Sequence, residues 1–180
     1  MQRLFVALSL PDDVVQSLAA VQTGVPGARW MTREQMHLTL RFIGEIDGRD
    51  AIAVHDALST IDEPSFSLAL HAAGEFGGRR PSTLWVGVRP NEALMHLQRK
   101  IETAVQRVGL PAERQRFVPH VTLARLRGTG QGHVMDYLTD HALYSSRPFT
   151  ANAFILYSSM LTSNGSIYRA EHAYRLQEAT

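Results

Sequence analysis

The sequence predicts a single α+β domain, and three observations predict it. Short runs with the two-residue alternation of strands are interleaved with stretches of helical periodicity. Several strand runs follow one another with only a turn between them, which favours antiparallel pairing over a doubly wound parallel sheet. The 180 residues suffice for one good core and are too few for two ordinary domains with a linker.

In chain order, Leu4 to Leu10 reads as a strand. Pro11-Asp12-Asp13 then opens an amphipathic helix carrying Val14, Val15, Leu18 and Val21, closed by Gly24. Ala28 to Met31 is a short strand before the polar turn Thr32 to Gln35, and His37 to Ile43 is a strand stopped by Gly44. Ala51 to Leu58 is helical in pattern, and Ser65 to His71 alternates as a strand. Gly74 to Pro81, with its glycines, its proline and the adjacent Arg79 and Arg80, reads as a loop. Leu84 to Val88 is a strand. Asn91 then caps a helix that runs to about Val108 and ends at Gly109-Leu110-Pro111. Pro119 leads into a strand that starts at His120, and Val134 to Leu138 forms a short helix. Phe149 to Ser158 and Ile167 to Leu176 close the chain as strands around the turn Ser163-Asn164-Gly165.

Composition narrows the function classes. A hydrophobic fraction of 44% with 19% charged residues is globular, not disordered. The net charge of +1 means that any polyanion must be met by a local patch. All basic residues except Lys100 are arginine, which reflects base composition or, at a few positions, the fit of a guanidinium fork to phosphate. The absence of cysteine removes disulfides, thiolate nucleophiles and Cys-based zinc sites, and it is compatible with a reducing cytosol. The apolar start Leu4 to Leu8 breaks at Pro11 and does not read as a signal peptide. No run approaches the length of a membrane span. A cytoplasmic protein is the expectation.

One pattern occurs twice: His37-Leu38-Thr39-Leu40 and His120-Val121-Thr122-Leu123, 83 positions apart. On a strand, residues i and i+2 share a face, so His37 aligns with Thr39 and His120 with Thr122. Each copy offers an imidazole beside a hydroxyl. If the fold brings both to one cleft, a neutral imidazole takes a proton from an attacking group while a protonated one gives a proton to the leaving oxygen. Thr39 and Thr122 then hold the charge that develops on phosphoryl oxygens. A single copy would be an ordinary strand with a polar edge; two copies in strand context, one in each half, point to an acid–base site and to an internal duplication. Two histidines without further ligands at metal spacing make only half a zinc site, so no metal and no cofactor are expected. There is no Gly-x-Ser-x-Gly elbow, P-loop or dinucleotide fingerprint.

These motifs and their flanks resemble the two-histidine (2H) phosphoesterase superfamily, and within it the RNA 2′,3′-cyclic phosphodiesterase, or 2′-5′ RNA ligase, family. The likeness rests on Arg3 to Leu8, Arg29-Trp30, His37 to Gly44, Leu84 to Val88, Phe117 to Arg125, and Phe154 to Ser159 with Tyr168. It covers essentially the whole chain. It implies a bilobal fold over residues 1–180, with two pseudo-symmetric antiparallel-sheet lobes, helices outside and a central cleft. It also implies hydrolysis of a terminal 2′,3′-cyclic phosphate to a 2′-phosphomonoester without metal, and ligation by the reverse reaction. His37 would be the proton donor and His120 the proton acceptor, with Thr39 and Thr122 on the non-bridging oxygens and Arg125 as a further phosphate contact.

Phe42 and Phe76 are read either as platforms for a terminal base or, for Phe42, as strand core. Arg79 and Arg80 either reach an RNA backbone or keep a loop soluble. Trp30 and Trp85 read as core. His55, His71, His96, His133, His141 and His172 lack the motif and read as surface or capping residues. The expected partners are RNA ends or nucleotides with a cyclic phosphate, met by a monomer with no protein partner and no membrane. The alternatives are another cyclic-phosphate substrate such as an ADP-ribose derivative, a 2′-5′-linked oligonucleotide, or a binding module for RNA ends without turnover.

Overall fold

Eight of the ten strands form one antiparallel sheet in a computed structural model that describes residues 1–178. The elements run β1 (Gln2–Leu8), α1 (Asp12–Ala19), β2 (Ala28–Trp30), a 3₁₀ turn (Arg33–Gln35), β3 (Leu38–Ile46), α2 (Gly48–Ser59), β4 (Phe66–Leu68) and β5 (Leu70–Phe76). They continue with β6 (Thr83–Val88), α3 (Glu92–Arg107), β7 (His120–Leu126), α4 (Gln131–Asp140), β8 (Phe149–Ala151), β9 (Ala153–Thr162) and β10 (Gly165–Arg175). The sheet order is β10-β9-β1-β3-β7-β6-β5, with β2 added on β7, while β4 and β8 form a separate ribbon.

The sheet has two halves. β10, β9, β1 and β3 make one, and β7, β6, β5 and β2 the other; they join through the pair Leu38–Val121. Alternation explains which side chains lie beneath. Leu38 and Leu40 of β3, Leu84 and Val86 of β6, and Val121 and Leu123 of β7 are all at most 2% exposed. They meet Val14 and Leu18 of α1, Val54 and Leu58 of α2, and Leu94, Leu97 and Ile101 of α3 in one continuous core. Burying each such side chain contributes about 1.5–3 kcal/mol. Asn91 caps α3 as expected, accepting from the Leu94 backbone N–H at 2.9 Å.

Several boundaries differ from the sequence reading. Gly44 does not end its strand: β3 runs on to Ile46, and Gly44, at φ +90°, sits beside a bulge where Leu4 pairs with Gly44 but Phe5 with Phe42. Gly74 to Phe76 belong to β5 and not to a loop. The glycine there answers a packing need, because a Cβ at Gly74 would lie 2.2 Å from the Trp85 ring. The Ser65 to His71 run divides into β4 and β5, and the Phe149 to Ser158 run into β8 and β9, because β4 and β8 leave the main sheet to pair with each other. The polar turn at Thr32 is a 3₁₀ turn with a reciprocal cap between Thr32 and Gln35.

Candidate active site

Leu38 and Val121 are fully buried, so their strand neighbours on both sides face the opposite way. The antiparallel register of that pair sets His37 abreast of Thr122 and Thr39 abreast of His120. Each half of the sheet thus supplies one imidazole and one hydroxyl to the same junction. Thr39, Thr122 and His120 line a cleft of about 460 Å³, with Phe42, Phe76 and Arg125 in its walls. His37 is not among the lining residues but lies close enough to His120 that charge on His120 disfavours charge on His37.

Both imidazoles are held in the same way. His120 Nδ1 lies 2.6 Å from the Val118 carbonyl, and since a carbonyl only accepts, Nδ1 carries the proton and Nε2 is left with its lone pair. The Gln35 carbonyl accepts from His37 in the same i−2 relation. The local sequence explains each carbonyl: the capped 3₁₀ turn fixes Gln35, and Pro119 restricts Val118 to an extended backbone. Gln35 is further tied by its Nε2, which donates to the Ser166 carbonyl of β10 at 2.9 Å.

The surroundings of the two rings differ. His37 stacks on Phe5 at 4.9 Å between centroids and meets Tyr168 edge-on at 5.1 Å, with Tyr157 at 5.8 Å. Burial in this aromatic box pushes its pKa down to about 4; the Gln35 carbonyl opposes the fall and His120 adds to it. His120 meets the edge of Phe76 at 4.9 Å and Trp85 at 5.7 Å. Its pKa is also lowered, by burial first and by the Arg125 charge, against the Val118 carbonyl. Both shifts favour the neutral ring at neutral pH.

Phe42 is 44% exposed in the cleft wall and is not strand core; Arg3 lies over its ring at 5.5 Å. Phe76 is 36% exposed at the end of β5. Arg125 is exposed, and its Nη1 donates to Thr83 Oγ1 at 3.2 Å. Arg79 and Arg80 are exposed on the β5–β6 turn and do not line the cleft. Trp85 is half-buried beside His120 instead of filling the core; its indole N–H is buried without a partner among the described residues. Sequence reasoning passed over Phe5, Tyr157 and Tyr168 around His37, and Gln98, Gln115, Arg116 and Phe117 in the cleft wall. Phe5, Tyr157, Tyr168 and Phe117 lie in the segments that carry the family likeness, but strand alternation names a face without its neighbours across the sheet, and Gln98 on α3 and Gln115 and Arg116 in a loop gave no local signal.

Among the described residues no three His, Asp or Glu side chains converge as a metal site. A groove of about 510 Å³ between α2 and α3 holds His96, Lys100 and Glu63 but none of the motif residues. No helix among the described residues is long and apolar enough to cross a membrane.

A family model described as the 2′-5′ RNA ligase superfamily matches residues 10–159. The chain is 29% identical over 174 residues to the RNA 2′,3′-cyclic phosphodiesterase of Thermotoga maritima, covering 93% of this chain and 91% of that protein. It is 32% identical over 150 residues to that of Aeropyrum pernix, covering 82% and 85%. Among solved structures, Escherichia coli LigT complexed with 3′-AMP superposes with a TM-score of 0.80 at 25% identity, over 97% of this chain and 98% of that one. The fold is also that of TT0787 from Thermus thermophilus, with a TM-score of 0.81 at 24% identity over 99% and 100% of the two chains.

Proposed function

This chain belongs to the 2′-5′ RNA ligase superfamily, and from that membership we propose that it is an RNA 2′,3′-cyclic phosphodiesterase working by metal-independent acid–base catalysis between His37 and His120. The observation that carries the reading is the Leu38–Val121 junction, which sets an imidazole and a hydroxyl from each half around one cleft. In the proposed reaction His120 Nε2 takes a proton from water as the water oxygen attacks phosphorus. The bond from phosphorus to O3′ breaks, and His37 protonates the leaving O3′. One water is consumed, and the products are a 2′-phosphomonoester and a free 3′-hydroxyl. His37 ends neutral and His120 protonated, and exchange with solvent resets both.

Thr39 and Thr122 donate to the non-bridging oxygens, whose charge grows in the transition state. Arg125 adds a positive charge beside them. Phe42 and Phe76 present ring faces and edges to the terminal base, a contact worth about 1–3 kcal/mol that tolerates any base. With a 5′-hydroxyl in place of water as the attacking group, the same groups acting in the same direction join two RNA ends through a 2′-5′ link. The substrate anion favours the charged acid, since a negative phosphate between two neutral rings favours protonating one of them.

The same reading takes residues 1–180 as one bilobal catalytic unit built by duplication, with each half contributing strand, His-x-Thr-Leu and helix. It places the enzyme in the cytoplasm as a monomer, with which a chain free of cysteine is compatible. The test is hydrolysis of a nucleoside 2′,3′-cyclic phosphate and of a short RNA with that end, with EDTA present, resolving 2′- from 3′-monophosphate. A 2′-phosphate product is expected. A 3′-phosphate product, loss of activity with EDTA, or no turnover of either substrate overturns the proposal.

A further inference from the structure

Between Val108 and His120 the chain forms neither helix nor strand, yet this loop walls the cleft through Gln115, Arg116 and Phe117. It also delivers the Val118 carbonyl to His120. An ion pair outside the repeated motif, buried on its arginine side, holds it. Arg41, two residues after Thr39, is 7% exposed, and each of its guanidinium nitrogens is engaged. Nε donates to Glu102 of α3, Nη1 to the Phe42 carbonyl and Nη2 to the Pro111 carbonyl. Glu102 Oε1 in turn accepts from the Glu113 backbone N–H at 2.9 Å and from Gln106 Nε2 at 2.8 Å. The first motif strand, α3 and the loop that enters the second motif strand are thereby tied at one point.

A pair of this kind is a poor source of net stability, because desolvation offsets its attraction. What it supplies is geometry: a planar fork fixes two backbone carbonyls and a carboxylate at once, which a lysine cannot do. Arg41 lines the cleft, but its nitrogens are committed to the protein, unlike the exposed Arg125. We propose that Arg41 and Glu102 are positioning residues for the hydrolysis, setting the 109–119 loop so that Val118 holds His120 with Nδ1 protonated and Nε2 open to the cleft. This rests on the reading of His120 as the catalytic base.

His120 faces His37 across the junction and Arg125 on its own strand, packs on Phe76 of β5 and Trp85 of β6, and shares the cleft with Glu113 and Arg116 of the loop. Only the loop is moved by the Arg41–Glu102 pair. The test uses the full chain labelled with ¹⁵N-histidine, comparing Glu102→Gln and Arg41→Lys with the unaltered protein. In the unaltered protein, NMR should find His120 as the Nδ1–H tautomer. In the variants a mixture of tautomers is expected. Loss of the carbonyl that favours the protonated ring should move the His120 limb of the pH–rate profile to lower pH. Turnover, kcat, should fall roughly ten- to a hundredfold with KM little changed, the cost of a displaced catalytic group.

A merely structural pair would lower the melting temperature and leave the tautomer and the limb where they were. That result, in either folded variant, overturns the proposal. If the single variants do not fold, the double variant Arg41→Met with Glu102→Leu, which leaves no unpaired charge, is read in the same way. The NMR measurement does not need turnover. Failure of the unaltered protein to hydrolyse the cyclic phosphate would therefore sink the functional reading separately from the positioning role.

Discussion

Leu38 of β3 and Val121 of β7 form the registered pair through which the two halves of the sheet meet, and each directly follows a motif histidine. Convergence of the two motifs therefore needs no long-range network of side chains. One backbone pairing, locked because both residues are fully buried, brings His37 to Thr122 and Thr39 to His120. The i−2 carbonyls of Gln35 and Val118 then orient the rings. The site is a property of the sheet junction, with aromatic packing and the Arg41–Glu102 pair added around it.

Replacing either histidine by alanine should lower turnover by about 10²–10⁴, the usual worth of a positioned acid or base. The two variants should differ in stability. His37 packs against three aromatic rings, Phe5, Tyr157 and Tyr168, and His120 against two, Phe76 and Trp85, and each stacked or edge-on pair contributes about 0.5–1.5 kcal/mol beyond buried area. Both variants are thus expected to lose most of their turnover and some stability, His37→Ala the more stability of the two. Kinetics with urea denaturation checks both; full activity in either variant removes that ring from the mechanism.

Thr39→Ala and Thr122→Ala should each cost about 2–4 kcal/mol of transition-state stabilisation, about 10²–10³ in kcat, as for loss of one oxyanion donor. Thr39→Ser and Thr122→Ser keep the hydroxyl and should recover most of it. If serine rescues no better than alanine, the threonines act through their methyl groups and not as donors.

The repeated His-x-Thr-Leu was legible because strand alternation assigns both members to one face, whatever the rest of the fold does. The α+β class, the start of α1 at Asp12 and the cap at Asn91 were legible for the same local reason. Gly44 and Gly74 misled because a glycine signals a turn, a bulge or a close approach equally well, and only the partner strand or the Trp85 ring decides among them. Phe5, Tyr157 and Tyr168 were hidden because their meeting with His37 depends on β1 lying between β3 and β9, an order that no local pattern encodes. Arg41 was hidden by its own strand: a charged residue after a motif reads as exposed until Glu102, 61 positions away, is seen to meet it.

The pH dependence of kcat/KM reports the free enzyme, and there both rings have pKa values below the usual 6.5. The base must be neutral and the acid protonated, so activity falls below the pKa of one and above that of the other. The bell for kcat/KM should therefore be centred below pH 6.5. Bound phosphate favours the charged imidazolium and raises both values, so the bell for kcat should lie at higher pH than that for kcat/KM. Profiles on a nucleoside cyclic phosphate from pH 4 to 9 test this; coincident bells, or a kcat/KM optimum above neutrality, contradict it.

The same depressed pKa makes stability depend on pH, and the sign is determined. His37 titrates near 4 in the folded chain and near its ordinary 6.5 when unfolded, so between those values the unfolded chain binds more protons. Stability is fully present above pH 6.5 and is lost as pH falls toward 4, by roughly 3 kcal/mol at most from this ring, with His120 acting in the same direction. Glu102 and Asp13, whose paired carboxylates are held below their ordinary values, lose their contributions only at lower pH, so the interval from 6.5 to 4.5 isolates the histidines. His37→Phe keeps an aromatic ring on Phe5 and removes the titration. Urea unfolding at pH 4.5 and 6.5 should give a large difference in midpoint for the parent and a much smaller one for His37→Phe. An equal difference in both would mean that His37 is hydrated and titrates normally, and the aromatic box would not be what controls its charge.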